Sequence, residues 1–98
     1  MDIVKEALAG TLESSDLMVR VAPAPDQKLE VVVNSAVKRQ FGRRIEQVVR
    51  ETLGKLGVSR GLIVVDDKGA LDCAIRARVQ AAVLRGANRG DIEWSAVS

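Results

Sequence analysis

The feature that most constrains the fold is a helical repeat of apolar residues between two short apolar runs. The apolar positions recur every three or four residues over about five turns, which is the pattern of an amphipathic helix. They are Val37, Phe41, Ile45, Val48, Val49, Leu53 and Leu56. Asn34 or Ser35 is suited to cap the start of this helix, and Gly57 is suited to end it in a left-handed conformation. A helix that buries one face requires a second layer to pack against.

Runs with strand character lie on both sides of this helix. Residues 17–22 (LMVRVA) and 29–33 (LEVVV) alternate between apolar and other side chains, as half-buried strands do. The short segment with two prolines between them predicts an antiparallel hairpin. Residues 61–65 (GLIVV) are apolar throughout, which is typical of a strand buried on both faces. The helix would therefore make a right-handed crossover from the second strand to the third.

A second helix is predicted from about Gly69 to Leu84, with Asp67 as its cap. Its core-facing positions are Leu71, Ile75, Val79, Ala82 and Val83, with Ala74 beside them. The order strand–strand–helix–strand–helix predicts an α+β fold, a two-layer sandwich in which a small mixed β-sheet carries both helices on one face. We expect residues 1–98 to form a single domain with loose tails at 1–8 and 87–98, and the pattern leaves room for an extra strand at either end.

The composition excludes several classes of function. The chain has no histidine and one cysteine, so Ser-His and Cys-His nucleophile pairs cannot form within it, and neither can a zinc site built from cysteine and histidine. A lone cysteine suits a reducing cytoplasm, which is the location we expect. No apolar run approaches the roughly 20 residues that span a bilayer. Catalysis would have to rely on aspartate, glutamate, lysine, serine or the single cysteine, which makes an enzyme the less expected class.

Charged residues supply two sets of candidate binding sites. Asp66, Asp67 and Asp72 have the oxygen ligands that magnesium or calcium prefers, but their spacing does not match an EF-hand loop. A turn after the strand and a helix cap explain them equally well, so we expect no metal site. The arginines of the two helices are suited to an acidic partner or a phosphate group, although a solvated face is the simpler explanation: Arg39, Arg43, Arg44, Arg50, Arg76 and Arg78. Cys73 is expected to be a small core or boundary residue.

Two adjacent serines precede the strand at 17–22, in the segment ESSD. Ser14 and Ser15 are suited to a tight turn, because their side-chain oxygens can bond nearby amides. A hydroxyl at the tip of such a turn is also open to a modifying enzyme, which can supply its own base. The residues alone leave both interpretations open.

The chain resembles the citrate lyase acyl carrier protein (gamma subunit) family. The resemblance covers most of the sequence and rests on residues 9–16 (AGTLESSD), 33–42 (VNSAVKRQFG) and 65–81 (VDDKGALDCAIRARVQA). In that family the serine of an E-S-G-D segment bears a prosthetic group through a phosphodiester. The resemblance implies that Ser14 is the cofactor-binding residue here and that Ser15 takes the place of the family's glycine. The implied cofactor is 2'-(5''-phosphoribosyl)-3'-dephospho-CoA.

The same resemblance implies a carrier subunit without catalytic residues of its own. The thiol of the group would carry acetyl and citryl groups between the alpha subunit, an acyl transferase, and the beta subunit, a citryl lyase. A prosthetic-group transferase would be the third partner, and neither nucleic acid nor membrane would be bound.

Two alternatives remain at this stage. The acyl carrier subunit of malonate decarboxylase bears a similar group on a similar S-G-D turn. A small nucleic-acid-binding α+β module belongs to another class, and its binding would depend steeply on salt. A net charge of +2 and two aromatic residues give little support for the nucleic-acid interpretation.

Overall fold

The computed structural model describes residues 1–35 and 39–87. This part of the chain contains β1 (Ala7–Gly10), β2 (Leu17–Ala22), β3 (Leu29–Ser35), α1 (Arg39–Lys55), β4 (Gly61–Asp67) and α2 (Asp72–Gly86), in that order. The predicted α+β class is confirmed, with β1 as an additional strand before the predicted ones. No helix in the described ranges is both long enough and apolar enough to cross a membrane.

The sheet has the strand order β1-β2-β4-β3. β4 pairs antiparallel with β2 and parallel with β3, so the sheet is mixed. The prediction of a hairpin between β2 and β3 is wrong, because β4 lies between them. The apolar sequence of β4 fits this central place, because alternate residues are fully buried on one face and the others are still partly buried on the other.

One face of the sheet forms the core together with the helices. Leu17, Val19 and Val21 of β2 and Ile63 and Val65 of β4 are fully buried on this face. Both helices contact the sheet and each other, α1 over β3 and α2 over β1 and β2. The two-layer arrangement with both helices on one face is therefore confirmed.

The first helix ends as its sequence predicts, and its described part runs from Arg39 to Lys55. Gly57 has a positive φ of 72°. Its N–H donates to the carbonyl of Gly54, and the N–H of Val58 donates to that of Leu53, which together form a Schellman motif. Asn34 and Ser35 belong to β3. The residues that would show whether either caps the helix, 36–38, lie outside the described residues.

Two apolar positions of the predicted helices do not face the core. Phe41 is 49% exposed, and Leu71 is 73% exposed. Leu71 lies at the N-cap of α2, one residue before the helix. Asp67 does not cap α2, because it ends β4 and bonds the loop instead. The predicted position Val37 lies outside the described residues.

The N-terminal segment is anchored, so the expectation of a loose tail at residues 1–8 is wrong. The side chain of Ile3 is only 6% exposed and belongs to the core. The N–H groups of Val4 and Lys5 both donate to the carbonyl oxygen of Gly86, at 2.9 and 3.2 Å. At the other end Ala87 donates to Val83, and the rest of the predicted tail, residues 88–98, lies outside the described residues.

Candidate attachment site at the Ser14 turn

The connection between β1 and β2 is a tight turn with Ser14 and Ser15 at its centre. The N–H of Asp16 donates to the carbonyl of Glu13 at 3.1 Å, which closes a four-residue β-turn. Ser15 has a positive φ of 67°, as the third residue of a type II turn requires. This conformation favours glycine, so serine occupies it at a cost. Both serine side chains are exposed.

The turn is bonded to the neighbouring loop as well as to its own strands. The N–H of Ser15 donates to the carbonyl of Lys68 at 2.8 Å, and the N–H of Lys68 donates to the carbonyl of Asp16 at 2.9 Å. These two bonds continue the pairing of β2 with β4 beyond the ends of both strands. The backbone beneath Ser14 is therefore held on two sides.

A carboxylate at the base of the turn supplies the strongest bracing. The hydroxyl of Thr11 donates to Asp16 at 2.6 Å, and the N–H of Leu17 donates to it at 2.7 Å. The guanidinium of Arg78, from α2, donates to both Asp16 oxygens, at 3.2 and 2.9 Å. The Thr11 hydrogen bond, followed by the Arg78 and Leu17 bonds, lowers the pKa of Asp16 to about 2. The carboxylate is therefore charged at any physiological pH.

Glycine is required at the start of this connection. Gly10 has a φ of 100°, and a Cβ placed on it would lie 1.9 Å from the carbonyl oxygen of Leu17. No side chain can occupy that space. β1 and β2 can therefore approach each other closely at the point from which the Ser14 turn projects.

The hydroxyl of Ser14 is accessible to a modifying enzyme. It has no hydrogen-bond partner among the described residues, and no histidine exists in the chain to deprotonate it. A rigid base with an exposed, unpaired hydroxyl at its tip is suited to be a substrate of a transferase. It is not suited to act as a nucleophile by itself.

The three aspartates that were candidates for a metal site each contact different partners. Asp66 accepts a hydrogen bond from Asn34, and Asp72 pairs with Arg44 at 2.5 Å. This contact with Arg44 lowers the pKa of Asp72. Asp67 is buried and accepts from the loop that follows it. Within residues 1–35 and 39–87, no three acidic or cysteine side chains are grouped so that they could hold a metal ion.

The candidate arginines differ in what they contact. Arg78 braces the Ser14 turn, Arg44 pairs with Asp72, and Arg50 pairs with Glu46 one helical turn away. Arg43 and Arg76 are exposed. The side chain of Arg39 is not among those described.

The bracing of Asp16 by Arg78 is a functional contact that the sequence did not reveal. The two residues are 62 positions apart, and neither the helical periodicity nor the spacing of charges indicates which arginine would reach the turn. Cys73, expected in the core or at its boundary, is exposed.

Comparison with known proteins identifies the family. A family model for acyl carrier proteins, described as the malonate decarboxylase delta subunit, matches residues 4–86. The citrate lyase acyl carrier protein of Pectobacterium carotovorum subsp. carotovorum (strain PC1) is 68% identical over 94 residues, which cover 96% of this chain and 97% of the relative. Citrate lyase acyl carrier protein 2 of Salmonella typhimurium is 61% identical over 99% of this chain and 100% of its own length.

The chain belongs to the citrate lyase acyl carrier protein family. The predicted family is thereby confirmed, and with it the function of an acyl carrier subunit of citrate lyase rather than a catalytic subunit. Members of an acyl carrier family bear a covalently attached prosthetic group and work within a multi-subunit enzyme complex.

The fold is shared with a related complex. The structure is similar to a chain in the crystal structure of a Pseudomonas malonate decarboxylase hetero-tetramer in complex with malonate, with a TM-score of 0.68 and 27% sequence identity. The similarity covers 85% of this chain and 84% of that chain. The two-layer architecture is therefore not particular to this sequence.

Proposed function

We propose that Ser14 is the attachment residue and that it bears phosphoribosyl dephospho-coenzyme A through a phosphodiester. The observation that carries this proposal is the exposed, unpaired hydroxyl of Ser14 at the tip of a turn whose base is fixed by Asp16 and Arg78. A transferase must surround the hydroxyl that it modifies, and a projecting tip allows this. A fixed base keeps the hydroxyl in one position during the transfer, so little ordering entropy is lost on binding.

The residues around the turn suit a phosphodiester. The exposed side chain of Lys68 belongs to the residue whose backbone pairs with both Ser15 and Asp16. A cationic residue at this position in the chain favours the negative charge that the phosphodiester adds. Asp16 is an unfavourable neighbour for that charge, but Arg78 neutralises it.

The group would carry acetyl and citryl thioesters between the alpha and beta subunits of citrate lyase in the cytoplasm. A tether of this kind replaces diffusion between two active sites with a local search at an effective concentration of about millimolar. This chain contributes the attachment residue, the rigid turn beneath it and the surfaces that each partner subunit contacts. The prosthetic-group transferase is the partner that the Ser14 turn meets first.

The related carrier of malonate decarboxylase is the second candidate, because the family model and the similar crystal structure both come from that system. The identities favour citrate lyase. They are 58–68% over nearly the whole chain for citrate lyase carriers, against 27% for the malonate decarboxylase chain. Reconstitution with each set of partner subunits would separate the two.

The proposal is tested by co-expressing the chain with the enzymes that synthesise and transfer the group, then measuring the intact mass. We expect wild type and Ser15→Ala to gain the mass of the group and Ser14→Ala to gain none. Ser59→Ala is the matched control, because Ser59 is also exposed in a loop but lies outside the turn. Circular dichroism should show all three variants folded. A full mass gain on folded Ser14→Ala would refute the assignment.

A further inference from the structure

An open groove lies beside the Ser14 turn, at the same end of the sheet. It has a volume of about 660 Å³ and is formed by the first turns of α1 and α2 and by the loop from β4 to α2. Gly69 lines it, and the preceding residue, Lys68, makes the two backbone bonds to the turn. The groove therefore begins one residue away from the backbone that supports Ser14.

The lining of this groove is mostly apolar. Phe41 and Leu71, which the helical periodicity had placed in the core, are its two most exposed apolar walls, at 49% and 73%. Ile45 and Ile75 form its floor, since both line it and both are buried. Concave sites of this size, lined by apolar residues with a few polar groups, are typical of small-molecule sites.

The polar groups at the rim are few and mostly paired. Arg44 and Asp72 line the groove, but they form an ion pair with each other. No side chain caps α2 at Leu71, and the N–H of Ala74 donates to the Leu71 carbonyl. The amides of Asp72 and Cys73 therefore have no acceptor among the described residues and are available to a carbonyl. An uncharged chain with methylene, methyl and amide groups would match this surface better than a phosphate would.

We propose that this groove binds the pantetheine segment of the group attached to Ser14, so that the carrier holds its own arm between visits to partner subunits. The inference rests on the proposed attachment at Ser14. Pantetheine has the required chemistry, with two methyl groups, several methylenes and two amides. Lys68 and Cys73 are five residues apart, a span of at most about 18 Å, and the arm, with its two ribosyl groups, pyrophosphate and pantetheine, is longer. A tethered ligand also fills a weak site, because its effective concentration is about millimolar.

Cys73 offers a reporter for this proposal, because it is exposed and lines the groove. The experiment compares the rate of alkylation of Cys73, followed by peptide mapping, in unloaded protein and in protein whose mass shows a fully loaded Ser14. Mapping separates the peptide of Cys73 from the thiol of the arm. We expect loading to slow alkylation of Cys73 by about tenfold, given the effective concentration of a tether. Amide NMR signals of Gly69 and Ala70 should shift as well.

Two sets of variants make the test specific. Phe41→Ser with Leu71→Ser removes the exposed apolar walls, and because both side chains are exposed the double variant should fold. In the loaded double variant Cys73 should react as fast as in unloaded protein. Val4→Ser with Leu8→Ser is the matched control, since both side chains are comparably exposed, at 62% and 48%, but lie outside the groove. In the loaded control variant, alkylation of Cys73 should remain slow.

The outcomes separate this inference from the attachment itself. Protein loaded at Ser14 in which Cys73 reacts at the unloaded rate overturns the groove proposal and leaves the attachment intact. Protection that persists in the Phe41 and Leu71 double variant also overturns it. Failure of Ser14 to acquire the mass at all would instead refute the proposed function.

Discussion

Two neighbouring loops at one end of the sheet are built from similar residues but differ in how closely they are packed. The loop from β1 to β2 follows Gly10, the last residue of β1, and the loop from β4 to α2 contains Gly69; the two glycines have nearly the same φ, 100° and 95°. Each loop is also organised by one aspartate, Asp16 within the first and Asp67 at the strand end before the second. The first loop presents a hydroxyl on a closely packed base, whereas the second leaves an open groove.

The surroundings of the two glycines explain the difference. A Cβ on Gly10 would meet the Leu17 carbonyl oxygen at 1.9 Å, whereas a Cβ on Gly69 would meet nothing within 4 Å. The two aspartates also differ in their hydrogen-bond partners. Asp16 has a cationic partner, Arg78, while Asp67 is 1% exposed and, among the described residues, accepts from neutral donors. A positive φ alone therefore does not tell how costly a substitution will be.

The largest expected effect comes from alanine at the two glycines. Gly10→Ala should lower the free energy of unfolding by about 3–5 kcal/mol, because an unfavourable φ and a backbone clash add up. Gly69→Ala should cost only about 1–2 kcal/mol, since the unfavourable φ alone acts there. Urea denaturation of both variants measures this. Equal losses would show that the two loops are equally packed.

The next largest effect on the free energy of unfolding is expected at Asp67, the buried carboxylate. Asp67→Ala would leave the N–H groups of Gly69 and Ala70 and the hydroxyl of Ser35 without this acceptor. We expect a loss of about 2–3 kcal/mol, because three hydrogen bonds to one buried carboxylate are lost together. Asp66→Ala, at the adjacent and less buried position, is the control and should cost much less. A loss for Asp67→Ala no larger than for the control would contradict the assigned role.

A pH titration tests whether Asp16 braces the first loop. The pKa of Asp16 is about 2 in the folded state, below the value of about 3.9 expected for an unfolded chain. The stability that the ionised Asp16 carboxylate contributes is therefore fully present above about pH 4 and is lost as the pH falls toward 2. NMR titration of the Asp16 carboxyl should give an apparent pKa near 2, and Thr11→Val should raise it. A normal pKa in wild type would mean that the turn is not braced through this group.

The helix periods, the strand alternation and the left-handed Gly57 could be predicted from the sequence, because each depends on neighbours a few residues away. The place of β4 in the centre of the sheet could not, since a hairpin between β2 and β3 satisfies the same local pattern. Phe41 and Leu71 continue the helical period but line a groove formed jointly by both helices and the loop before α2, which the period of a single helix does not reveal. Ser14 was predicted as the attachment residue from the family resemblance. The contact of Arg78 with Asp16 could not be predicted, because it joins residues 62 positions apart.

The smallest expected effect is at the third residue of the turn. Ser15→Gly removes the unfavourable φ of 67° but adds flexibility to the unfolded chain. The two terms nearly cancel, so we expect a gain in stability of at most about 1 kcal/mol. Thermal unfolding of Ser15→Gly beside Ser14→Gly tests this, because the latter has no positive φ to relieve and should lose stability. Destabilisation of Ser15→Gly would contradict the turn geometry.

The most direct test of the attachment site is to locate the added group within one peptide. Trypsin cleaves after Lys5 and Arg20, so both serines of the turn fall in the peptide 6–20. Fragmentation that cleaves the backbone and leaves the phosphodiester intact distinguishes them. The account predicts the added mass on every fragment that contains Ser14 and on none that contains Ser15 alone. Added mass on fragments that contain Ser15 but not Ser14 would contradict it.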